Sequence, residues 1–216
     1  MVSASAVLGV FAVALALVLT PGPNMMYLVS RSITQGRRAG VISLAGVAAG
    51  FAVYLSATNL GLAAVFVAVP ALYLAVKLAG AAYLGWLAVR ALRPGGRPVF
   101  TRVPIPQRPE APRRLFVMGF VTNLLNPKIA VMYLSLIPQF VRPAAGHVVL
   151  QGFILGGVQI AVALSVNLLL VLAAGGISTF LARRPGWLRV QRYVMGTVLG
   201  ALAVKLATDH ARPAPA

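Results

Sequence analysis

The chain has 216 residues, of which 60% are hydrophobic and 10% are charged. Soluble domains carry about 25% charged residues, so the composition predicts a polytopic membrane protein with a single membrane domain over 1–216. The net charge of +17 does not indicate nucleic-acid binding, because the basic residues cluster between apolar segments as membrane-flanking residues do. Cysteine is absent, which excludes disulfides and thiol chemistry.

The first apolar segment, over 5–29, is long enough to cross a membrane but contains Thr20-Pro21-Gly22-Pro23-Asn24. The two prolines remove two backbone donors, and the glycine between them weakens the helix further. In lipid, a broken backbone is tolerated only where it is buried in protein or lines a wet cavity. The segment is therefore predicted to be one transmembrane span with a break inside it.

A second break is predicted in the fourth apolar segment, over 115–140, at Asn126-Pro127-Lys128. Lys128 lies roughly 20 Å along a helix from the basic end of this segment, which places its charge near mid-depth and requires a polar cavity around it. Paired interruptions in the two halves of a chain are the best sequence indication of a transport site.

Four further apolar segments complete a prediction of six transmembrane spans, all of them α-helical. They lie at 40–63, 70–92, 148–174 and 190–207. Gly175-Gly176 is expected to end the fifth span. A basic, proline-rich cytoplasmic loop over 93–114 separates the two halves, and a short tail covers 209–216.

The basic residues are distributed unevenly between the predicted links. Fourteen of them lie in the links between spans 1 and 2, 3 and 4, and 5 and 6. The link between spans 4 and 5 has only Arg142, and the tail has only Arg212. Cytoplasmic links carry the excess of lysine and arginine, so both termini are predicted to face outside.

The two halves, 1–92 and 115–208, resemble each other in sequence. Met26-Tyr27-Leu28 matches Met132-Tyr133-Leu134, and the paired glycines of span 2 have counterparts in span 5. An odd number of spans per repeat turns the second copy upside down. The chain is therefore predicted to be an inverted 3+3 repeat, a design that many transporters use.

Nine residues at and beside the breaks form the predicted substrate-binding site. They are Thr20, Pro21, Gly22, Pro23, Asn24, Asn123, Asn126, Pro127 and Lys128. Exposed amides at half-helix N-termini suit a carboxylate and freed carbonyls suit an ammonium group, and these are the two charged ends of an amino acid. Lys128 could neutralise the carboxylate; alternatively, it could bond to carbonyls freed near Pro127 and have no ligand role.

Other polar and small residues in the spans have structural roles in this prediction. Asn167 is expected to make a hydrogen bond between helices. Close helix packing, with sliding during gating as a further possibility, is expected at Gly46, Gly50, Gly152, Gly156, Gly196 and Gly200. The spans contain no metal-ligand cluster, paired carboxylates or nucleophile with a base, so no enzyme activity, metal or cofactor is predicted.

The two break motifs, the glycine-spaced span 2 and Gly80-Ala81-Ala82-Tyr83-Leu84 in span 3 are similar to those of the LysE/RhtB amino-acid exporters. The resemblance covers nearly the whole chain. It implies six spans, the bacterial inner membrane, and efflux of amino acids or close derivatives on the membrane potential or proton gradient. Many members carry an aspartate where this chain has Phe51, so the departure suggests neutral amino acids or substrates with a free carboxylate.

Three hypotheses of function remain. The first is a secondary exporter that moves amino-acid-like solutes by alternating access, with the substrate and the lipid bilayer as partners and a homo-oligomer as a possible assembly. The second is a non-transporting scaffold or assembly protein, which would gain nothing from an intramembrane Lys128 and paired breaks. The third is a passive channel, which could not move solute against a gradient.

Overall fold

Helices account for every regular element that the computed structural model describes, in residues 2–20, 22–62, 70–93, 109–182 and 185–208. The α-helices are α1 (Ala4–Leu19), α2 (Pro23–Gln35), α3 (Arg37–Ala57), α4 (Pro70–Leu92), α5 (Pro112–Leu124), α6 (Pro127–Val131), α7 (Val148–Ala182) and α8 (Pro185–Thr208). Short π-helical segments follow α3 at Thr58–Leu62 and α6 at Met132–Leu136, and 3₁₀ turns cover Ile137–Phe140 and Pro143–Ala145. Pro21, most of the predicted loop (94–108) and the tail (209–216) lie outside the described residues.

The helices are interrupted between α1 and α2 and again between α5 and α6. The two helices of each pair are bent by 55° at the first break and by 50° at the second. Pro23 and Pro127 lie in the first turn of the new helix, where the missing N–H of proline costs no hydrogen bond. The backbone N–H and hydroxyl of Thr20 donate back into α1, and the Asn126 side chain caps α6 by accepting from the Lys128 N–H.

Two of the described helical stretches are long and apolar enough to cross a membrane alone, over Arg37–Leu60 and Val148–Gly176. The bent pairs, α1 with α2 and α5 with the helical stretch Pro127–Phe140 that begins with α6, raise the number to as many as four if each pair is counted as one span. The predicted all-helical membrane protein is therefore confirmed at the level of two to four candidate spans among the described residues.

Three helix boundaries differ from those predicted. Gly175-Gly176 does not end the fifth helix, because α7 continues through both glycines to Ala182, whereas the candidate membrane span itself covers Val148–Gly176. Each glycine inside a helix costs only about 1 kcal/mol, which is less than the cost of leaving backbone groups unpaired in an apolar environment. In addition, α5 begins at Pro112 inside the predicted loop, and α8 begins at Pro185 rather than at 190, because proline is favourable in a first helical turn.

The bent spans pack on the straight ones. α5 lies along α3, α1 and α2 lie along α7, and α4 pairs with α8. In the contact of α3 with α5 the two backbones meet, because a methyl group at Gly46 would collide with the carbonyl oxygen of Phe116 and one at Gly119 with that of Ser43. This packing brings the first break and the second break together inside the molecule.

Candidate functional site

Lys128 connects the two breaks directly. Its side chain leaves the first turn of α6, and its Nζ donates to the carbonyl oxygens of Leu17 and Thr20, each at 2.8 Å. Both oxygens lie at the C-terminal end of α1, where helix carbonyls lack their usual donors. In an uninterrupted helix the partner of Leu17 would be the N–H of residue 21, which proline does not have. The proline of the first break thus provides an acceptor for the lysine of the second.

The ammonium group of Lys128 is buried, and its charge is stabilised by backbone dipoles. Only 6% of the residue is exposed. The single acidic side chain among the described residues, Glu110, is paired with Arg31 elsewhere. Helix carbonyls at a C-terminus together carry roughly half a negative charge, so they attract the cation. An ammonium has three donors, and the two bonds to α1 leave one N–H available to a ligand.

A cavity of about 30 Å³ lies beside this bridge. Its polar lining comes from Asn24, Asn126, Lys128, Gln159 and Asn167. Its apolar lining includes Leu17, Val18, Met25, Phe51, Ile129 and Met132. This volume admits about two water molecules, so the walls would have to move apart before the cavity could hold an amino acid.

Three asparagines at the breaks have buried side-chain atoms without a hydrogen-bond partner among the described residues. These atoms are Oδ1 of Asn24, Nδ2 of Asn126 and both amide atoms of Asn123. Each such atom costs about 1–3 kcal/mol unless something binds it. Asn24 offers an acceptor to the cavity and Asn126 a donor, which match the two ends of a zwitterion. Asn123 lies against Gly50 of α3 and does not line the cavity.

Gly22 lies where the lysine side chain passes the first break. A methyl group at this position would be 2.9 Å from Nζ and 3.2 Å from Cε of Lys128. An added side chain would displace the end of the flexible lysine side chain and disturb its two bonds to the end of α1, which glycine avoids. Pro23 and Pro127 do not line the cavity; they start the helices that carry its walls.

The predicted packing glycines lie at helix contacts, with one exception. Methyl groups would meet a neighbouring helix or its side chains too closely at Gly46, Gly50, Gly152, Gly156 and Gly196. At Gly200 the nearest heavy atom, Cβ of Ala88, would be 3.9 Å away, which is an ordinary contact. None of the six lines the described cavity, and five of them lie at close contacts between helices.

Sequence reasoning missed the contribution of Gln159 and Asn167 to the cavity lining, which also includes Phe51, the residue from which the resemblance suggested neutral substrates. The Oε1 of Gln159 accepts from the Tyr133 hydroxyl at 2.6 Å. Asn167 donates to the carbonyl of Ala163 in its own helix, so the predicted bond between helices is wrong. Residues 159, 163 and 167 are four apart and share one face of α7. The two amides of this face, Gln159 and Asn167, stand in an otherwise apolar helix and were the available signal in the sequence.

Comparison with known proteins identifies the family. The family model of LysE type translocators matches residues 15–210. The leucine efflux protein of Salmonella typhimurium is 26% identical over 200 residues, which cover 90% of this chain and 91% of that relative. The homoserine/homoserine lactone efflux protein of the same organism is 30% identical over 171 residues, which cover 79% of this chain and 78% of the relative. No solved structure matches. The predicted resemblance is thereby confirmed: the chain belongs to the LysE type translocators, a family of membrane transport proteins rather than enzymes.

Proposed function

We propose that the chain is a secondary transporter that exports amino acids, or similar small solutes, across the bacterial inner membrane by alternating access. One observation carries the proposal: Lys128 bridges the two breaks beside a cavity in which Asn24 and Asn126 have side-chain atoms without a partner among the described residues. Relatives named as efflux proteins for leucine and for homoserine support the same class of substrate.

The lining of the cavity suggests how the substrate binds. The carboxylate accepts from the third N–H of Lys128 and from Nδ2 of Asn126, while the ammonium group donates to Oδ1 of Asn24. Hydrogen bonds to charged groups contribute about 1.5–3 kcal/mol each. Phe51 and Met132 then face the substrate side chain. Because no carboxylate lines the described cavity, a cationic side chain finds no partner there, and neutral amino acids are favoured.

The half-helices at the two breaks are the elements that move in the proposed transporter. A cavity of about 30 Å³ has to expand before an amino acid can enter. Each bent pair consists of two half-helices joined by non-helical residues, and a change in the 55° or 50° bend moves a wall of the cavity. Broken helices that hold a substrate at the interface of two repeats are typical of alternating-access transporters.

The proposed arrangement is six spans in an inverted 3+3 repeat with both termini outside. The packing supports it: span 1 (α1 and α2) lies on span 5 (α7), the α5 part of span 4 lies on span 2 (α3), and span 3 (α4) pairs with span 6 (α8). A two-fold axis in the membrane plane that exchanges the halves interconverts the first two of these pairs and maps the third onto itself. The basic links between spans 1 and 2, 3 and 4, and 5 and 6 then face the cytoplasm.

Efflux from cells loaded with a panel of amino acids tests the proposal. Cells that express the chain should release at least one neutral amino acid faster than cells with an empty vector, and its external concentration should rise above the internal one. A passive channel would stop at equal concentrations, and a scaffold would add no efflux. Equal efflux from both cell lines across the whole panel, with the chain present in the membrane, would refute the exporter.

A further inference from the structure

An ion pair outside the cavity joins α2 to the residues just before α5. Nη1 of Arg31, near the end of α2, lies 2.5 Å from Oε1 of Glu110, just before α5, and the two side chains are only 14% and 13% exposed. The Gln35 side chain accepts from the Glu110 N–H at 2.9 Å. The Arg31 guanidinium also lies 5.4 Å from the centre of the Tyr27 ring, whose hydroxyl donates to the Leu115 carbonyl. One face of α2 is thus tied to the start of α5.

Glu110 is surrounded by positive charges and supplies the negative charge that offsets them. It is the only acidic side chain in the described part of the chain. The same end of the molecule carries the arginines that begin α3 and α5, and one of them, Arg114, lies 3.7 Å from the second oxygen of Glu110 with its side chain 69% exposed. Without the carboxylate, the positive charges of α2 and α5 would repel each other. The pair therefore offsets this repulsion, which the two uncharged contacts of Gln35 and Tyr27 do not.

The same half-helix forms one wall of the cavity. Asn24 and Met25, in the first turn of α2, line it, and Arg31 lies about two turns further along, roughly 10 Å away. The first break connects α2 to α1. Met25 and Val29 of α2 pack with Ala174 of α7 in a small cluster apart from the main core. Rotation of α2 about the break would move the cavity wall and the ion pair together.

We propose that α2 is the gate on the basic side of the protein and that the Arg31–Glu110 pair is the latch that holds this gate shut. The inference rests on the proposed function, for which it names the element that opens the cavity toward the cytoplasm. In this structure the latch is formed and the cavity admits about two waters. Breaking the latch releases α2 from α5 and admits substrate from the side that holds the amino acids to be exported.

Thiol labelling measures the gate without any substrate. Because the chain has no cysteine, Ala163→Cys on the buried cavity wall of α7 provides a single reporter. The reagent is a membrane-impermeant maleimide, applied to vesicles that expose the basic links. We expect Glu110→Gln and Arg31→Gln each to raise the labelling rate at least about fivefold, the lower end of typical coupling between sites.

Arg114→Gln is the matched control, because it removes a positive charge near the same carboxylate but leaves the latch in place. Its labelling rate should equal that of the parent. The exchange variant, Arg31→Glu with Glu110→Arg, restores an ion pair of reversed polarity and should return the rate toward the parent value. If a single variant does not reach the membrane, Arg31→Lys replaces it, since it keeps the charge but loses the planar fork.

Unchanged labelling in the latch variants, or an equal rise in Arg114→Gln, would overturn the gate. Amino-acid efflux measured on the same cells is a separate readout. If labelling responds as expected while the parent chain exports nothing, the gate stands and the proposed transport function fails. If the parent exports amino acids and labelling does not respond, the transporter stands and the latch is rejected.

Discussion

Replacing Lys128 with methionine separates a substrate-binding role from a structural one. The side chain keeps a similar length and loses its charge, so the 2.8 Å bonds to Leu17 and Thr20 disappear. Each was a hydrogen bond to a charged group, of about 1.5–3 kcal/mol. Against this loss, a lysine costs about 2.5–3.5 kcal/mol at the centre of a membrane helix. The free energy of unfolding should therefore fall by between about 0 and 3.5 kcal/mol, and the variant should insert normally.

Lys128→Met should reduce substrate export more than it reduces the stability of the protein. The substrate carboxylate loses one bond of about 1.5–3 kcal/mol, which lowers its affinity roughly 10- to 150-fold. An amino-acid amide has no carboxylate, so its export by the methionine variant should change much less. Lys128→Arg should rescue export only in part, because a planar fork replaces a compact ammonium that fits against Gly22.

The assay compares initial efflux rates of one amino acid and its amide from loaded cells. Membrane levels of each variant are matched by immunoblot, and thermal unfolding in detergent gives the change in stability. A large loss for the amino acid and a small loss for the amide is the expected pattern. Undiminished efflux of the amino acid by Lys128→Met at equal expression would show that Lys128 only joins the two breaks, and the proposed carboxylate site would be wrong.

Three further predictions concern packing, the second break and topology. Gly46→Ala should lower the free energy of unfolding by about 1–3 kcal/mol, because its methyl group would meet the Phe116 carbonyl. Gly157→Ala is the control, because its methyl group would enter open space. Equal melting temperatures of the two variants would contradict this packing. Asn126→Ala should remove the cap of α6 and lower the free energy of unfolding by about 0.5–2 kcal/mol. Asn126→Asp keeps the acceptor for the Lys128 N–H, so it should unfold at a higher temperature than the alanine variant. A cysteine replacing Thr101 should react only from the cytoplasmic side, and labelling from outside intact cells would refute the proposed orientation.

The breaks were predictable because their cause is local. Pro21, Pro23 and Pro127 remove backbone donors whatever surrounds them, and the helices end at Leu19 and Leu124, just before these residues. The family was predictable for the same reason, since its motifs are contiguous in sequence. Gly175-Gly176 marked the end of the candidate span but not the end of α7, because a glycine weakens a helix by a modest amount and an apolar environment strongly favours continued backbone pairing.

The partners of the site residues could not be predicted, because they depend on how distant segments pack. Lys128 was expected to find either a substrate or carbonyls near Pro127, but its acceptors belong to α1, more than a hundred residues earlier in the chain. The ion pair between Arg31 and Glu110 joins residues 79 positions apart, and no periodic pattern in the sequence predicts it. The side chain of Gln159 could have been placed on a polar face of α7, but not beside the breaks.

Transport by the purified protein in liposomes tests the central claim most directly. Liposomes that contain the chain are prepared with the same concentration of a neutral amino acid inside and outside, and a membrane potential or a proton gradient is imposed across them. We expect the amino acid to move against its concentration gradient through the parent protein and to remain in place with Lys128→Met at equal reconstitution. Liposomes with the parent protein that behave like protein-free liposomes, for every amino acid and both gradients, would contradict the account.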